Sequence, residues 1–140
     1  MLDHLSERAR TLLKGRHFAV LATTNEDGTP HLTTMWYLLE KHNDTLIILM
    51  NTKRGRVKER NMRRNPHIAV CIEQEYSYVT MSGTVELIDD PEIAQADIYR
   101  LAARYDGPES AMQQMWAQFA TEERVTLRLP CTQVHERFPQ

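Results

Sequence analysis

The sequence predicts a mainly β domain with flanking helices (α+β), built as a six-stranded antiparallel barrel. Three observations carry that expectation. Short apolar runs recur along the chain, separated by turn-forming pairs such as Asp27-Gly28 and Asn43-Asp44. The links between the first three runs are too short to hold the helical crossover that a parallel sheet needs. A chain of 140 residues has room for one core, so residues 1–140 are read as a single domain.

In order, Leu5, Ala9, Leu12 and Leu13 recur at helical spacing from Asp3 to Lys14, with Gly15 at the expected stop. A strand follows over His17–Thr23, then the turn Asn25–Pro30, a second strand His31–Glu40, and a third over Thr45–Asn51. A turn and short helix, Gly55–Arg64, end at Asn65-Pro66. Strands are then expected at His67–Glu73 and Tyr76–Ile88, the second interrupted by Gly83 as a bulge or close backbone approach. Asp90-Pro91 opens a helix to Tyr105, and Asp106-Gly107-Pro108 breaks it. A further helix to Ala120 is followed by a strand at Arg124–Leu129 and a tail strand from Val134 to Phe138.

The bulk numbers exclude several classes. With 41% apolar and 26% charged residues the chain has the balance of a globular protein, not of a disordered one. The longest apolar runs, such as Leu46–Met50, are too short to span a bilayer, and the N-terminus lacks a secretory pattern. Cys71 and Cys131 form no CxxC, which suits reduced thiols and a cytoplasmic location. The histidines show no metal-ligand spacing, so no metal site is expected, and no P-loop or GxGxxG occurs.

One stretch stands out. Asn51–Pro66 holds seven of the 17 basic residues and one acid, a local charge of about +6 in a chain of net charge −2. Nucleic acid is a weak reading, because no aromatics interleave with the cations and the remaining surface is acidic. A solvated helix face is the ordinary alternative. The residue order favours a small phosphate instead: Thr52 ends a strand, Gly55 allows a close turn, and a helix start follows with Arg56, Val57 and Lys58.

These residues resemble a known family. Phe18–Thr23, the Asp27–His31 hairpin, Thr34–Tyr37, the basic stretch and Val79–Asp90 are similar, in order and spacing, to the flavin-binding split barrels of the pyridoxamine 5′-phosphate oxidase superfamily. The most specific match is Lys58-x-x-Asn61-Met62-x-x-Asn65-Pro66, and the resemblance is greatest to F420-dependent reductases. It implies an FMN-binding type split barrel and a homodimer with two cofactor sites at its interface. It also implies an oxidoreductase that uses F420 or FMN to pass hydride to a small unsaturated substrate.

By the same resemblance Thr52, Arg56 and Lys58 hold the cofactor phosphate, with Asn51 and Val57 beside them. The ring would lie near Thr33, Thr34, Met35, Trp36 and Met50, although a strand Trp is as readily core. Lys53, Arg54, Arg60 and Arg64 are free in this reading to meet the acidic tail of F420. His31 and Tyr37 are the weak candidates for a proton donor, followed by Tyr76 and Tyr78. The tail Pro130–Phe138 lacks the oxidase's Arg- and His-rich substrate segment, which argues against vitamin B6 oxidation. The alternative is a non-catalytic protein of the same fold that stores or senses a flavin or haem-like ligand.

Overall fold

The computed structural model describes residues 5–139, so Asp3 and His4 of the first expected helix lie outside the described residues. Helix α1 spans Glu7–Lys14, where the Ser6 side chain accepts from the Ala9 N–H and Ala9, Leu12 and Leu13 form the buried stripe. Strands β1 (Ala19–Thr24), β2 (Pro30–Met35), β3 (Leu38–His42) and β4 (Thr45–Lys53) follow. Helix α2 spans Val57–Arg64, and β5 (His67–Gln74), β6 (Ser77–Thr84) and β7 (Glu86–Ile88) come next. Helices α3 (Pro91–Asp106) and α4 (Pro108–Ala117), a 3-10 turn at Phe119–Thr121, then β8 (Arg124–Pro130) and β9 (Gln133–Arg137) complete the chain.

Among the described residues there are therefore nine strands in two antiparallel sheets, where six in one barrel were expected. The orders are β2-β1-β5-β6-β9 and β3-β4-β8-β7. The difference has a physical cause. The segment read as one strand over His31–Glu40 leaves the first sheet at Trp36-Tyr37 and enters the second as β3. The segment Tyr76–Ile88 does the same at Val85, whose N–H turns to the Pro66 carbonyl at 2.9 Å. A period-2 pattern continues through such a corner, so alternation alone does not reveal it. The last helix also stops earlier than Ala120, passing into the 3-10 turn after Ala117.

The inner faces of both sheets share one core. Leu21, Val70 and Met81 from the first meet Ile48, Met50 and Leu127 from the second, and α1 closes one end. A smaller cluster of Leu49, Ile98, Leu101 and Phe119 glues α3 and the 3-10 turn to the outside of the second sheet. Asp90 caps α3 by accepting from the Glu92 N–H at 2.9 Å, and Pro91 starts it without wasting a donor. The outer face of the first sheet carries Val20, Ala22, Ala69, Cys71, Thr80 and Ser82, all small and half-buried, beside Leu32 at 62% exposure.

Candidate functional site

Helix α2 and the turn before it stand at the end of β4. Gly55 has φ +94°, a backbone conformation that favours glycine, and its N–H donates to Glu59 Oε1 at 2.8 Å. Glu59 is 5% exposed, and its other oxygen accepts from Arg63 Nε at 2.6 Å. Asn61 fastens the helix to the first sheet by donating to Thr23 Oγ1 at 3.1 Å and Asn25 Oδ1 at 2.9 Å. Met62, with no exposed surface, anchors the opposite side in the core.

The seven basic side chains of the stretch are not equivalent. Lys53 pairs with Glu122 at 3.6 Å, Arg54 with Asp89 and Glu123, and Arg63 with Glu59 and Asp89. Arg60 donates to the Gly55 carbonyl, and Arg64 donates to the Thr24 carbonyl and Asn61 Oδ1. Only Arg56 and Lys58 have no hydrogen bond or ion pair among the described residues. Both flank the start of α2, where Arg56 takes the cap position and offers no side-chain cap to the first N–H groups. Lys53, Arg54, Arg60 and Arg64, expected to be free for an acidic tail, are exposed but each already has a partner within the chain.

A third cation belongs here that its own sequence surroundings do not announce. Arg124 starts β8, and the β4–β8 register sets it opposite Lys53, 71 positions earlier in the chain. It donates to Asn51 Oδ1 at 2.9 Å and Glu122 Oε1 at 2.8 Å, with its guanidinium 5.0 Å from the Phe119 ring centroid. Burial, and then the charges of Arg56 and Arg124, lower the Lys58 pKa below that of an ordinary lysine. Burial and the Arg56 charge likewise lower Arg124, against the pull of Glu122. Arg124 keeps Glu122 as its counter-ion, whereas Arg56 and Lys58 beside it have none among the described residues.

The other expected site residues separate into two groups. Thr52 is 3% exposed, and its hydroxyl has no partner among the described residues. Thr33 Oγ1 on β2 is buried without a partner, the kind of orphaned acceptor and donor that a ligand satisfies. Thr34 and Val57 are exposed, and His31 is half-buried opposite Thr23, close to the Asn61 anchor. Against these, Met35 and Met50 point into the core. The Asn51 amide nitrogen donates to the Ala94 carbonyl at 2.9 Å and holds α3, while its oxygen accepts from Arg124, so it serves to position that cation. Trp36 stacks on Tyr105, with centroids 5.3 Å apart and planes at 10°, so one ring face is already covered.

Tyr37 is corrected as a proton donor. It is fully buried, donates to the Leu13 and Gly15 carbonyls at 2.7 and 3.1 Å, and burial pushes its pKa up to about 12. A phenol so placed ties α1 to the corner between the sheets and is not available to a ligand. Tyr76, at 86% exposure on the β5–β6 turn, and Tyr78, against His135, lie on other elements than the cations. Among the described residues no group of three His, Cys, Asp or Glu side chains could hold a metal ion. No described helix is long and apolar enough to cross a membrane.

The chain is thus a two-sheet antiparallel β domain with two unpaired cations, Arg56 and Lys58, at a helix start. Residues 5–127 match the family model described as pyridoxamine 5′-phosphate oxidase, and the chain belongs to that family. Among solved structures it is similar to an F420 reductase, with 26% identity, TM-score 0.73, and coverage of 94% of this chain and 98% of the other. A conserved hypothetical protein, Rv2991 from Mycobacterium tuberculosis, matches with 26% identity, TM-score 0.75 and coverage of 97% and 90%. An FAD-binding protein from Mesorhizobium loti, 19% identical with TM-score 0.66 over 97% and 96% of the chains, shows the shared fold.

Proposed function

We propose that the chain is a cytoplasmic flavin or deazaflavin oxidoreductase that binds FMN or F420 and reduces a small unsaturated substrate. The single observation that carries this reading is the selective availability of Arg56 and Lys58 in a stretch whose other cations are all engaged. Those two side chains, the free N–H groups of α2 and the Thr52 hydroxyl would grip the cofactor phosphate. The orphaned Thr33 hydroxyl would orient the ring plane, and Trp36 would offer its edge. The bound cofactor would supply the hydride, and the protein's share is to place it and exclude water. The 26% identity to an F420 reductase over nearly the full length of both chains supports a redox role. With Tyr37 withdrawn, a non-catalytic carrier of the same ligand is the second reading, and turnover with His31→Ala separates the two.

Titration with FMN and with F420 tests the proposal. Arg56→Ala/Lys58→Ala should bind the accepted cofactor at least about 100-fold more weakly than the wild type, since each charged hydrogen bond is worth roughly 1.5–3 kcal/mol. Equal affinity in the variant sinks the assignment. Because the Lys58 pKa is lowered, its charge is lost earlier than an ordinary lysine's as pH rises. Affinity should therefore fall on the alkaline side, and binding there should take up protons, seen calorimetrically as a dependence on buffer ionisation heat.

The outer face of the first sheet supports the homodimer in this proposal, with the cofactor at the interface. Small residues such as Ala22, Ala69 and Ser82 form a shallow groove of about 490 Å³ with no side chain large enough to fill it. A second sheet could approach that surface closely. Ala22→Arg should leave a folded monomer in sedimentation that has lost cofactor affinity; an unchanged dimer would place the interface elsewhere.

A further inference from the structure

A second pocket, of about 260 Å³, opens between α1 and the β3–β4 hairpin. Its floor is Leu5, Leu13, Leu39 and Leu46, and its rim carries Arg10, Lys14 and Lys41. Three of the leucines are almost wholly buried, at 5%, 1% and 2% exposure for Leu5, Leu13 and Leu46, so the floor is fixed by the core rather than by mobile surface. Among the described residues no carboxylate lines the pocket. Lys41 meets Asp44 at 3.7 Å, but both are largely in solvent, where such a pair contributes little. The Lys14 side chain has no partner among the described residues.

This is not the cation cluster at α2. Leu46 lies near one end of β4 and Lys53 at the other, about 23 Å apart at strand rise. An apolar floor under a cationic rim rejects two kinds of ligand. An inorganic anion gains nothing from the leucines, and a neutral hydrocarbon gains nothing from the lysines. A molecule with an apolar body and one negative head satisfies both, its body displacing water from leucine surface at about 25 cal/mol per Å². The volume admits a chain of roughly eight carbons, at about the space one methylene occupies in a packed interior.

We propose that this pocket binds a medium-chain aliphatic monocarboxylate, head against Lys14 and Lys41 and tail over Leu13, Leu39 and Leu46. Octanoate is the probe, with octan-1-ol as the uncharged control, read by calorimetry and by shifts of the leucine methyl resonances. Octanoate should bind saturably, perturb Leu13, Leu39 and Leu46, and bind at least about tenfold more tightly than octan-1-ol. Lys14→Glu/Lys41→Glu, two surface changes that leave the core untouched, should weaken octanoate at least about tenfold and leave octan-1-ol unchanged. Lys58→Ala should leave octanoate affinity as in the wild type. No saturable binding, equal binding of acid and alcohol, indifference to the double charge reversal, or loss on Lys58→Ala would each overturn the proposal.

Discussion

Gly83→Val is expected to cost at least about 3 kcal/mol of folding stability. The reason is contact, not conformational freedom. A Cβ at this position would sit 2.4 Å from the Pro130 carbonyl oxygen and 3.3 Å from a Leu129 methyl. The oxygen belongs to backbone of β8, and Thr132 N–H is tied to the Ser82 carbonyl at 2.9 Å, so the two chains cannot separate without breaking hydrogen bonds. This is where β6 of the first sheet crosses β8 of the second. Urea unfolding of Gly83→Val against wild type checks it, and a loss under 1 kcal/mol would mean that the crossing yields. Gly83→Ala should fall between the two, since only one methyl must be accommodated.

Glu59→Ala is expected to destabilise the protein by about 2–4 kcal/mol and also to weaken cofactor binding about tenfold, although Glu59 faces away from the proposed ligand. The carboxylate closes the Gly55 turn and neutralises Arg63. Without it the Gly55 N–H loses its partly buried acceptor and Arg63 keeps only Asp89, and the turn that aims Arg56 and Lys58 loosens. Glu59→Gln separates the two duties: its amide oxygen can still accept from Gly55, while the charge facing Arg63 is gone. Burial disfavours the charged form of Glu59, yet the Arg63 hydrogen bond, the Gly55 N–H and the Arg63 and Arg54 charges outweigh it and hold the pKa below the ordinary 4.5. A depressed carboxylate stabilises the fold above its unfolded-state pKa and withdraws that support as pH falls. The stability gap between wild type and Glu59→Gln should therefore be full at pH 7 and shrink below about pH 4.5; a gap independent of pH would refute the charge argument.

What could be read in advance followed from local rules. Asp90-Pro91, Gly107 and Asn65-Pro66 mark helix ends because caps and breakers act within a turn of where they stand, whereas the first helix, expected from Asp3, begins at Glu7 behind an unforeseen Ser6 cap. Gly83 could be singled out in a strand because a glycine there needs a reason, and the reason proved to be the crossing. The corners at Trp36-Tyr37 and Val85 could not, since passing between sheets is a tertiary event that leaves the alternation intact. The same limit applied to the site. Arg56 and Lys58 were legible from the run of cations around a glycine turn. That Arg54 and Arg63 are held by Asp89, that Arg124 joins from across β8, and that Tyr37 is locked under α1 all depend on contacts between residues distant in sequence.

The ion pairs around α2 also change what the segment looks like from afar. Glu59, Asp89, Glu122 and Glu123 stand among its seven bases, so the charge projected outward is about +3, not the +6 counted along the chain. At physiological salt, where the screening length is roughly 8 Å, such a source has little reach. A long polyanion, which is drawn in by summed distant attraction, meets a weak and mixed field. A compact anion that has already diffused to the mouth of the turn meets Arg56 and Lys58 at full strength. The carboxylates would thus act as a filter on size, confining the pull of the cations to the few ångströms in which the proposed terminal phosphate would sit.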